Sequence, residues 1–357
     1  MPNLDALVRL VALCAACAAL SLPCHAAEEP FDDAVIAEIR YPDWFAETFL
    51  ELPDDAAVAA DEGKQGLFLF FSTEGCSYCH RFIAESLGDP SIAQRLQANF
   101  VSIGLEIFSD AELVDFDGDA MRVKELAQQQ GVQFAPSLLF FDTGGRRLLR
   151  LTGYYGPERF ARVLDYLIEG HHDRLSLREY LASGGEQVRA AEALRPDPLF
   201  ADPPYALDRS RLAAERPLLV LFEGGACEAC EQFHERVLGD DGIRRRLRDF
   251  DVVRLDAADH ETPVLRPDGG RTTPADWYDA LGFTRLPALA FFNEDGRLVL
   301  HTDALVLSSR MHNSIGFVTD RAYERGWSYQ RYARSQALQR ARSGATESTG
   351  SEAQGGR

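Results

Sequence analysis

The sequence predicts a duplicated α/β fold: two domains in tandem, each a central mixed β-sheet flanked by helices. Two observations carry this reading. A fixed offset of 151 residues takes Cys76-Ser77-Tyr78-Cys79 onto Cys227-Glu228-Ala229-Cys230, Leu87-Gly88-Asp89 onto Leu238-Gly239-Asp240, and Pro136 onto Pro287. The same shift takes Phe140-Phe141 onto Phe291-Phe292 and Gly145-Arg146 onto Gly296-Arg297. A repeat this long is a whole duplicated domain, since solenoid units recur at roughly 20–50 residues. The second observation is the order of apolar runs and helical stretches, which gives each copy one parallel crossover and a hairpin edge. A chain of 357 residues agrees, at about 150 residues per domain.

The elements of the first copy follow in order. Leu52-Pro53-Asp54 places Pro and Asp where a helix N-terminus favours them. Leu67 to Phe71 is a continuous apolar run, as in a central strand covered on both faces. The first cysteine pair follows within five residues, and Arg81 to Leu87 reads as helix. Phe100 to Leu105 is a second strand, Glu106 to Gly118 an acidic loop, and Glu125 to Gln130 a helix stopped by Gly131. Leu138 to Phe141, the turn Asp142-Thr143-Gly144-Gly145, and Leu148 to Leu151 form a hairpin. Pro157 to Ile168 closes the unit as an amphipathic helix.

The second copy repeats this order, from the strand Leu218 to Phe222 to the closing helix Leu307 to Thr319. The expected boundaries are an export signal at 1–26, a first domain with its N-terminal extension at 27–183, and a linker at 184–204. A second domain at 205–342 and a disordered tail at 343–357 complete the chain. The linker is rich in Gly, Pro and Asp, and the tail in Ser, Gly, Thr and Glu without an apolar period.

Composition narrows the function. The formal charge of −19 argues against nucleic acid, because phosphate binding needs clustered Lys and Arg, so no nucleic-acid partner is expected. Leu10 to Leu22 is apolar but shorter than the ~20 residues of a spanning helix. Cys24-His25-Ala26 then offers small residues at both positions that signal cleavage requires. This predicts export to the periplasm with cleavage after Ala26, an uncleaved N-terminal anchor being the competing reading. Pro23 argues against lipidation of Cys24. Three of the seven cysteines, Cys14, Cys17 and Cys24, leave with the signal, and the remaining four all belong to the two pairs. An exported chain without stapling disulfides keeps those thiols for chemistry.

The chemistry lies in the spacing. At a helix N-terminus, the first Cys of C-x-x-C faces unpaired backbone N–H groups and the positive dipole end, which favours thiolate. The second Cys sits one turn on, where it can attack a mixed disulfide. Cys76 and Cys227 are therefore the attacking thiols, and Cys79 and Cys230 the resolving ones. Pro136 and Pro287 each stand at the head of an apolar strand, where a residue without an N–H is tolerated. Glu223, four residues before Cys227, is either a candidate proton acceptor for the resolving thiol or a solvated loop acid. Carboxylates at Glu223, Glu228 and Glu231 crowd the second pair, whereas His80 and Arg81 follow the first. Like charge disfavours the thiolate, so Cys76 should have the lower pKa and the first pair should be the more oxidising.

Cys76-Ser77-Tyr78-Cys79-His80 also spells the c-type haem attachment pattern. The sister copy keeps everything around its pair but has Glu231 in place of His80, so no haem is expected. Pooling both pairs into one zinc site would join cysteines from separate domains, far beyond the spacing of a zinc ribbon. The remaining histidines, among them His234, His301 and His312, read as surface or satisfied core residues. Asp117-Gly118 and Asp268-Gly269 read as turns rather than calcium loops.

The order β-α-β-α-β-β-α is similar to that of thioredoxin, which makes this chain two thioredoxin-like domains in tandem. Phe71-Ser72-Thr73-Glu74-Gly75-Cys76-Ser77-Tyr78-Cys79, Leu87-Gly88-Asp89-Pro90 and Asp115-Phe116-Asp117-Gly118 resemble the SoxW-like periplasmic thioredoxins, as do Trp44-Phe45 and Phe49-Leu50. The resemblance covers roughly 41–183 well and 205–335 more loosely. It departs in lacking the usual Pro inside the motif and in carrying two such domains. It implies an exported thiol–disulfide oxidoreductase, often in a reducing role, without a bound cofactor. It further implies that Pro136 and Pro287 are cis and lie against the sulfurs. Ala135 and Leu286 would then pair through their backbone with an extended substrate peptide, as in strand addition. The partners would be disulfide-containing exported proteins and a membrane thiol relay as electron donor. A disulfide oxidase or isomerase on the same fold, and a peptide-binding chaperone module with one or both pairs inert, stay open as alternatives.

Overall fold

The computed structural model of the chain describes residues 31–184, 194, 196–205 and 207–352. The expected export signal, with Cys14, Cys17 and Cys24, lies outside the described residues, as do residues 185–193 and 195 of the linker. Among the described residues, no helix is long and apolar enough to cross a membrane.

The first half begins with α1 (Leu52–Asp61), which starts at Pro53 in its first turn and buries Leu52, Ala56 and Ala59. Strand β1 (Gly66–Ser72) is buried along its whole length. It leads into α2 (Ser77–Arg81), which continues as a π-helical stretch, Phe82–Leu87. Next come α3 (Pro90–Asn99), capped by the Asp89 side chain, and β2 (Phe100–Glu106). The segment expected to be a plain acidic loop instead forms a small hairpin of β3 (Glu112–Val114) and β4 (Ala120–Arg122), with Leu113 buried. Its turn is built on Asp115, whose carboxylate accepts from the Asp117 and Asp119 amides at 3.0 Å. The half is completed by α4 (Val123–Gln129), β5 (Ser137–Asp142), β6 (Arg147–Thr152), α5 (Pro157–Ile168) and α6 (Leu177–Ser183).

The sheet order is β2-β1-β5-β6. β1 runs parallel to β2 and antiparallel to β5, so β1 is central and its apolar run is explained by cover on both faces. Alternation along β1 splits its side chains between two cores. Phe68 and Phe70 pack with Phe82, Phe140 and Phe160 on one face, and Leu67, Leu69 and Phe71 with Leu52, Ile103 and Leu139 on the other. Phe68 and Phe140 are directly opposite across the strand pair and stack at 4.8 Å.

The second half repeats the plan with β7 (Leu218–Glu223), α7 (Glu228–Arg236), α8 (Asp241–Leu247), β8 (Asp251–Asp256), β9 (Val264–Leu265) and β10 (Arg271–Thr272). Helix α9 (Pro274–Ala280), strands β11 (Ala288–Phe292) and β12 (Leu298–Thr302), and helix α10 (Ser308–Thr319) follow. Its sheet order, β8-β7-β11-β12, reproduces the first, with the parallel pair and the hairpin edge in the same places.

Three departures from the sequence reading stand out. α10 is not the last helix, because α11 (Tyr329–Glu352) follows it and buries Tyr329, Gln330 and Tyr332. That helix carries on into residues 343–352, where composition predicts disorder. Once its packed first turns supply the nucleus, adding further residues is far less costly than starting a helix. The third departure is the C-terminal part of the linker, which belongs to the second domain. Asp197 is paired with Arg244 at 2.7 Å, Leu199 and Phe200 pack on the core, and the Ala201 amide donates to the Val252 carbonyl.

Candidate active site

Both cysteine pairs sit where a buried central strand ends and a helix begins. Cys76 caps α2 and Cys227 caps α7, each with its sulfur accepting from the backbone N–H of its partner cysteine at 3.1 Å. The pairs are disulfide-bonded, Cys76 to Cys79 and Cys227 to Cys230, with Cα atoms 5.2 Å apart in each. In both copies the first cysteine is partly exposed and the second is buried. That asymmetry suits attack by the first thiol and resolution by the second.

The residue before each pair has left-handed backbone, Gly75 at φ 78° and Ala226 at φ 51°. The 151-residue offset relates these two positions. Only glycine adopts this conformation without a Cβ penalty, so the second copy holds mild strain at the entrance to its helix.

The peptide bonds Ala135–Pro136 and Leu286–Pro287 are cis, as the resemblance implies. Pro136 heads β5 and Pro287 heads β11, each strand neighbouring the one that delivers its cysteine pair. Surroundings differ sharply between the copies. Ala135 and Pro136 are buried, and so are Ser77 and Tyr78 between the first cysteines. Leu286 and Pro287 are only half-buried, and Glu228 and Ala229 between the second cysteines are exposed.

The cover over the first pair comes from the second half of the chain. Arg310 on α10 donates to the Ala135 carbonyl at 3.0 Å and to the Leu305 carbonyl at 2.9 Å. Its guanidinium lies 3.6 Å from the centre of the Tyr78 ring. The Asp33 carboxylate accepts from the Tyr78 hydroxyl at 2.8 Å and from the Ser309 and Arg310 amides, so it joins the first motif to the start of α10. Phe134, two residues before the cis proline, packs in the core of the second half, with Tyr329 at 4.5 Å. Burial and the adjacent Asp33 carboxylate raise the Tyr78 hydroxyl well above its ordinary range, with Arg310 opposing, so Tyr78 stays neutral.

A second seam lies along the hairpin edges. Arg285, next to Leu286, donates to the carbonyls of Thr152 and Tyr154 and stacks on the Tyr155 ring at 4.1 Å. Any side chain at Gly153 would run into Ala304 there, so the close approach requires glycine.

At the second pair, Glu223 ends β7 and is 3% exposed, so it is no solvated loop acid. Its carboxylate meets the His234 imidazole at 2.7 Å, and Arg254 stands 3.6 Å from its other oxygen. Arg254 in turn lies over the Phe200 ring at 4.4 Å. The first copy has Ser72 in place of Glu223, bonded to the Tyr41 hydroxyl at 2.7 Å. His234 and Arg254 were not separable from surface residues by spacing. Their signal is that they, like Glu223, are specific to the second copy.

Arg310, Phe134 and α11 were also missed by sequence reasoning. Tyr329, Tyr332, Ala333 and Ala337 do carry a helical three-and-four spacing. Nothing local, however, shows that this face covers the other domain. Among the described residues there is no cluster of three or more side chains able to hold a metal ion.

The thioredoxin-like domain family matches residues 52–168 and again residues 204–313, more than half of the chain. Among solved structures, a thioredoxin-fold protein from Helicobacter pylori is 26% identical, with 40% of this chain and 87% of that one covered and a TM-score of 0.32. A thioredoxin from Thermus thermophilus is 24% identical, covering 35% of this chain and 95% of its own, with a TM-score of 0.27. The first two thioredoxin domains of Saccharomyces cerevisiae Eps1p are 11% identical, covering 78% of this chain and 98% of theirs, with a TM-score of 0.23. No curated protein matches the chain in sequence.

Proposed function

This chain belongs to the thioredoxin-like domain family in both of its halves, and from that premise we propose that it is a thiol–disulfide oxidoreductase. The observation that carries the reading is the repeated site: a cysteine pair at a helix N-terminus, with a cis proline at the head of the adjacent strand, in register in both halves. Starting from the dithiol, the thiolate of the first cysteine attacks one sulfur of a substrate disulfide and expels the other as a thiolate. The second cysteine then attacks the first, releasing the reduced substrate and closing the intramolecular disulfide. Two electrons pass from the dithiol to the substrate, and no bound cofactor is required.

We place the protein outside the cytoplasm, as a protein-disulfide reductase akin to the SoxW-like periplasmic thioredoxins. Support comes from the short apolar N-terminus and from the absence of cysteines beyond the two pairs once that segment is removed. In this role it reduces disulfide-containing exported proteins and draws electrons from a membrane thiol relay.

Redox titration of the two pairs, with insulin reduction as the activity, tests the proposal. A reductase should show potentials near or below the thioredoxin value of about −270 mV, and an oxidase values near −120 mV. The more oxidising pair should be Cys76–Cys79, because carboxylates crowd the second thiolate. Thiols that titrate without exchanging with any disulfide would point instead to a binding module.

A further inference from the structure

In the first domain, the place where an extended peptide would pair is already filled. The backbone before the cis proline would offer its carbonyl to a substrate N–H, yet Ala135 is buried, at 1% exposure, and its carbonyl already accepts from Arg310. Arg310 is itself 5% exposed, pinned by a second carbonyl and by the Tyr78 ring. The Leu307 amide donates to the Tyr78 hydroxyl at 3.1 Å, so the loop before α10 closes over the motif as well. What remains open at Cys76 is a cavity of about 200 Å³, whose lining includes Glu74, Asn313, Gln330, Arg334 and Leu338. Sites that enclose drug-sized ligands run to roughly 300–1,000 Å³, so this one fits less than that, and no polypeptide strand. Both signs line it, Arg310, Arg334 and Arg340 against Asp33 and Glu74, so size rather than charge is the selective property. The second motif is presented differently, with Glu228 and Ala229 exposed and Leu286 and Pro287 half-buried.

We propose that the two dithiols serve different substrate classes: Cys76–Cys79 exchanges with a small disulfide, on the scale of cystine, while protein disulfides are met at Cys227–Cys230. The proposal rests on the oxidoreductase reading above. At the first site, the reduced Cys76 thiolate attacks one sulfur of the small disulfide. A mixed disulfide forms and one small thiolate leaves, taking a proton from water. Cys79 then attacks Cys76, the second small thiol leaves, and the Cys76–Cys79 disulfide closes. One disulfide is reduced for one dithiol oxidised.

The test uses the full chain in two forms, one keeping only the first dithiol (C227S/C230S) and one keeping only the second (C76S/C79S). Each is pre-reduced, freed of reductant, and mixed with cystine or with insulin. Both should be oxidised by cystine at comparable rates. If the covered state dominates and an open state is populated at 10% or less, insulin should react with the first dithiol at least about tenfold more slowly than with the second. Arg310→Ala in the first-dithiol form should raise the insulin rate relative to the cystine rate, and an unchanged ratio would overturn the role of this cover. In the unmodified chain, which avoids any folding defect of that variant, reduced Cys76 should react with iodoacetamide but resist a polyethylene-glycol maleimide that labels Cys227. Equal insulin rates at the two dithiols, or equal labelling by the bulky maleimide, would overturn the division of substrates. Failure of both dithiols to react with either disulfide would instead overturn the oxidoreductase reading itself.

Discussion

The carboxylate of Glu223 and the imidazole of His234 meet at 2.7 Å at the end of the strand that delivers the second cysteine pair. Both side chains are almost fully buried, and Arg254 stands on the far side of the carboxylate. A charge this enclosed is retained at a cost unless its partners hold it, so the trio acts as a unit.

If Glu223 takes the proton from Cys230 during resolution, Glu223→Gln should slow release of a thiol from a mixed disulfide on Cys227 by about 10²–10⁴-fold. Capture by Cys227 should be little changed. Single-turnover release of a chromogenic thiol measures both steps. An unaltered release rate would make Glu223 a purely structural anion. Stability should fall by about 1–3 kcal/mol, since Gln keeps the shape but leaves His234 and Arg254 less well satisfied.

Phe134→Ala removes a side chain that belongs to the first domain by sequence and to the second domain's core by packing. Large-to-small changes at such sites cost about 3–5 kcal/mol. The loss should fall on the coupling between the halves. Denaturant unfolding should therefore separate into two transitions, seen as a lower apparent slope, where the unaltered chain should give one.

Ala226→Gly should leave stability unchanged or raise it by up to about 1.5 kcal/mol. Relief of left-handed strain, about 1–2 kcal/mol, competes with the greater entropy that glycine loses on folding, about 0.5–1 kcal/mol. Glycine already fills the same place before Cys76. Thermal unfolding of the second-dithiol form reads the sign, and a clear loss of stability would show that the left-handed turn at Ala226 is not the solution conformation.

His301 lies on β12, with the Phe283 ring at 5.9 Å. Burial, with repulsion from Arg150 of the other half, pushes its imidazole below the usual 6.5, and Asp303 opposes the shift. The unfolded chain therefore takes up the proton first. Stability from this site is complete above about pH 6.5 and is lost as pH falls through 6.5 toward the depressed native value. Burial and Arg246 act on His312 in the same direction. The melting temperature should drop between about pH 7 and pH 5, and His301→Gln should flatten that drop. An equal slope in the variant would place the titrating group elsewhere.

Local sequence determined most of each domain. A continuous apolar run makes β1 and β7 central strands because only cover on both faces removes the need for polar alternation. Cys76 and Cys227 follow at helix N-termini, and Pro136 and Pro287 head the neighbouring strands. All of this is carried by residues close together in the chain and repeated at one offset. The tertiary structure alone decided what the two copies do with the same parts. Glu223 could be a solvated acid or a buried one until His234 and Arg254 were seen to enclose it. Arg310 is one of many arginines in a row of letters, and its place on the Ala135 carbonyl depends on how two whole domains dock. The physical reason is range. Strand, cap and turn preferences act over a few residues, whereas the cover over Cys76 comes from contacts spanning 175 to 277 positions, which no local pattern encodes.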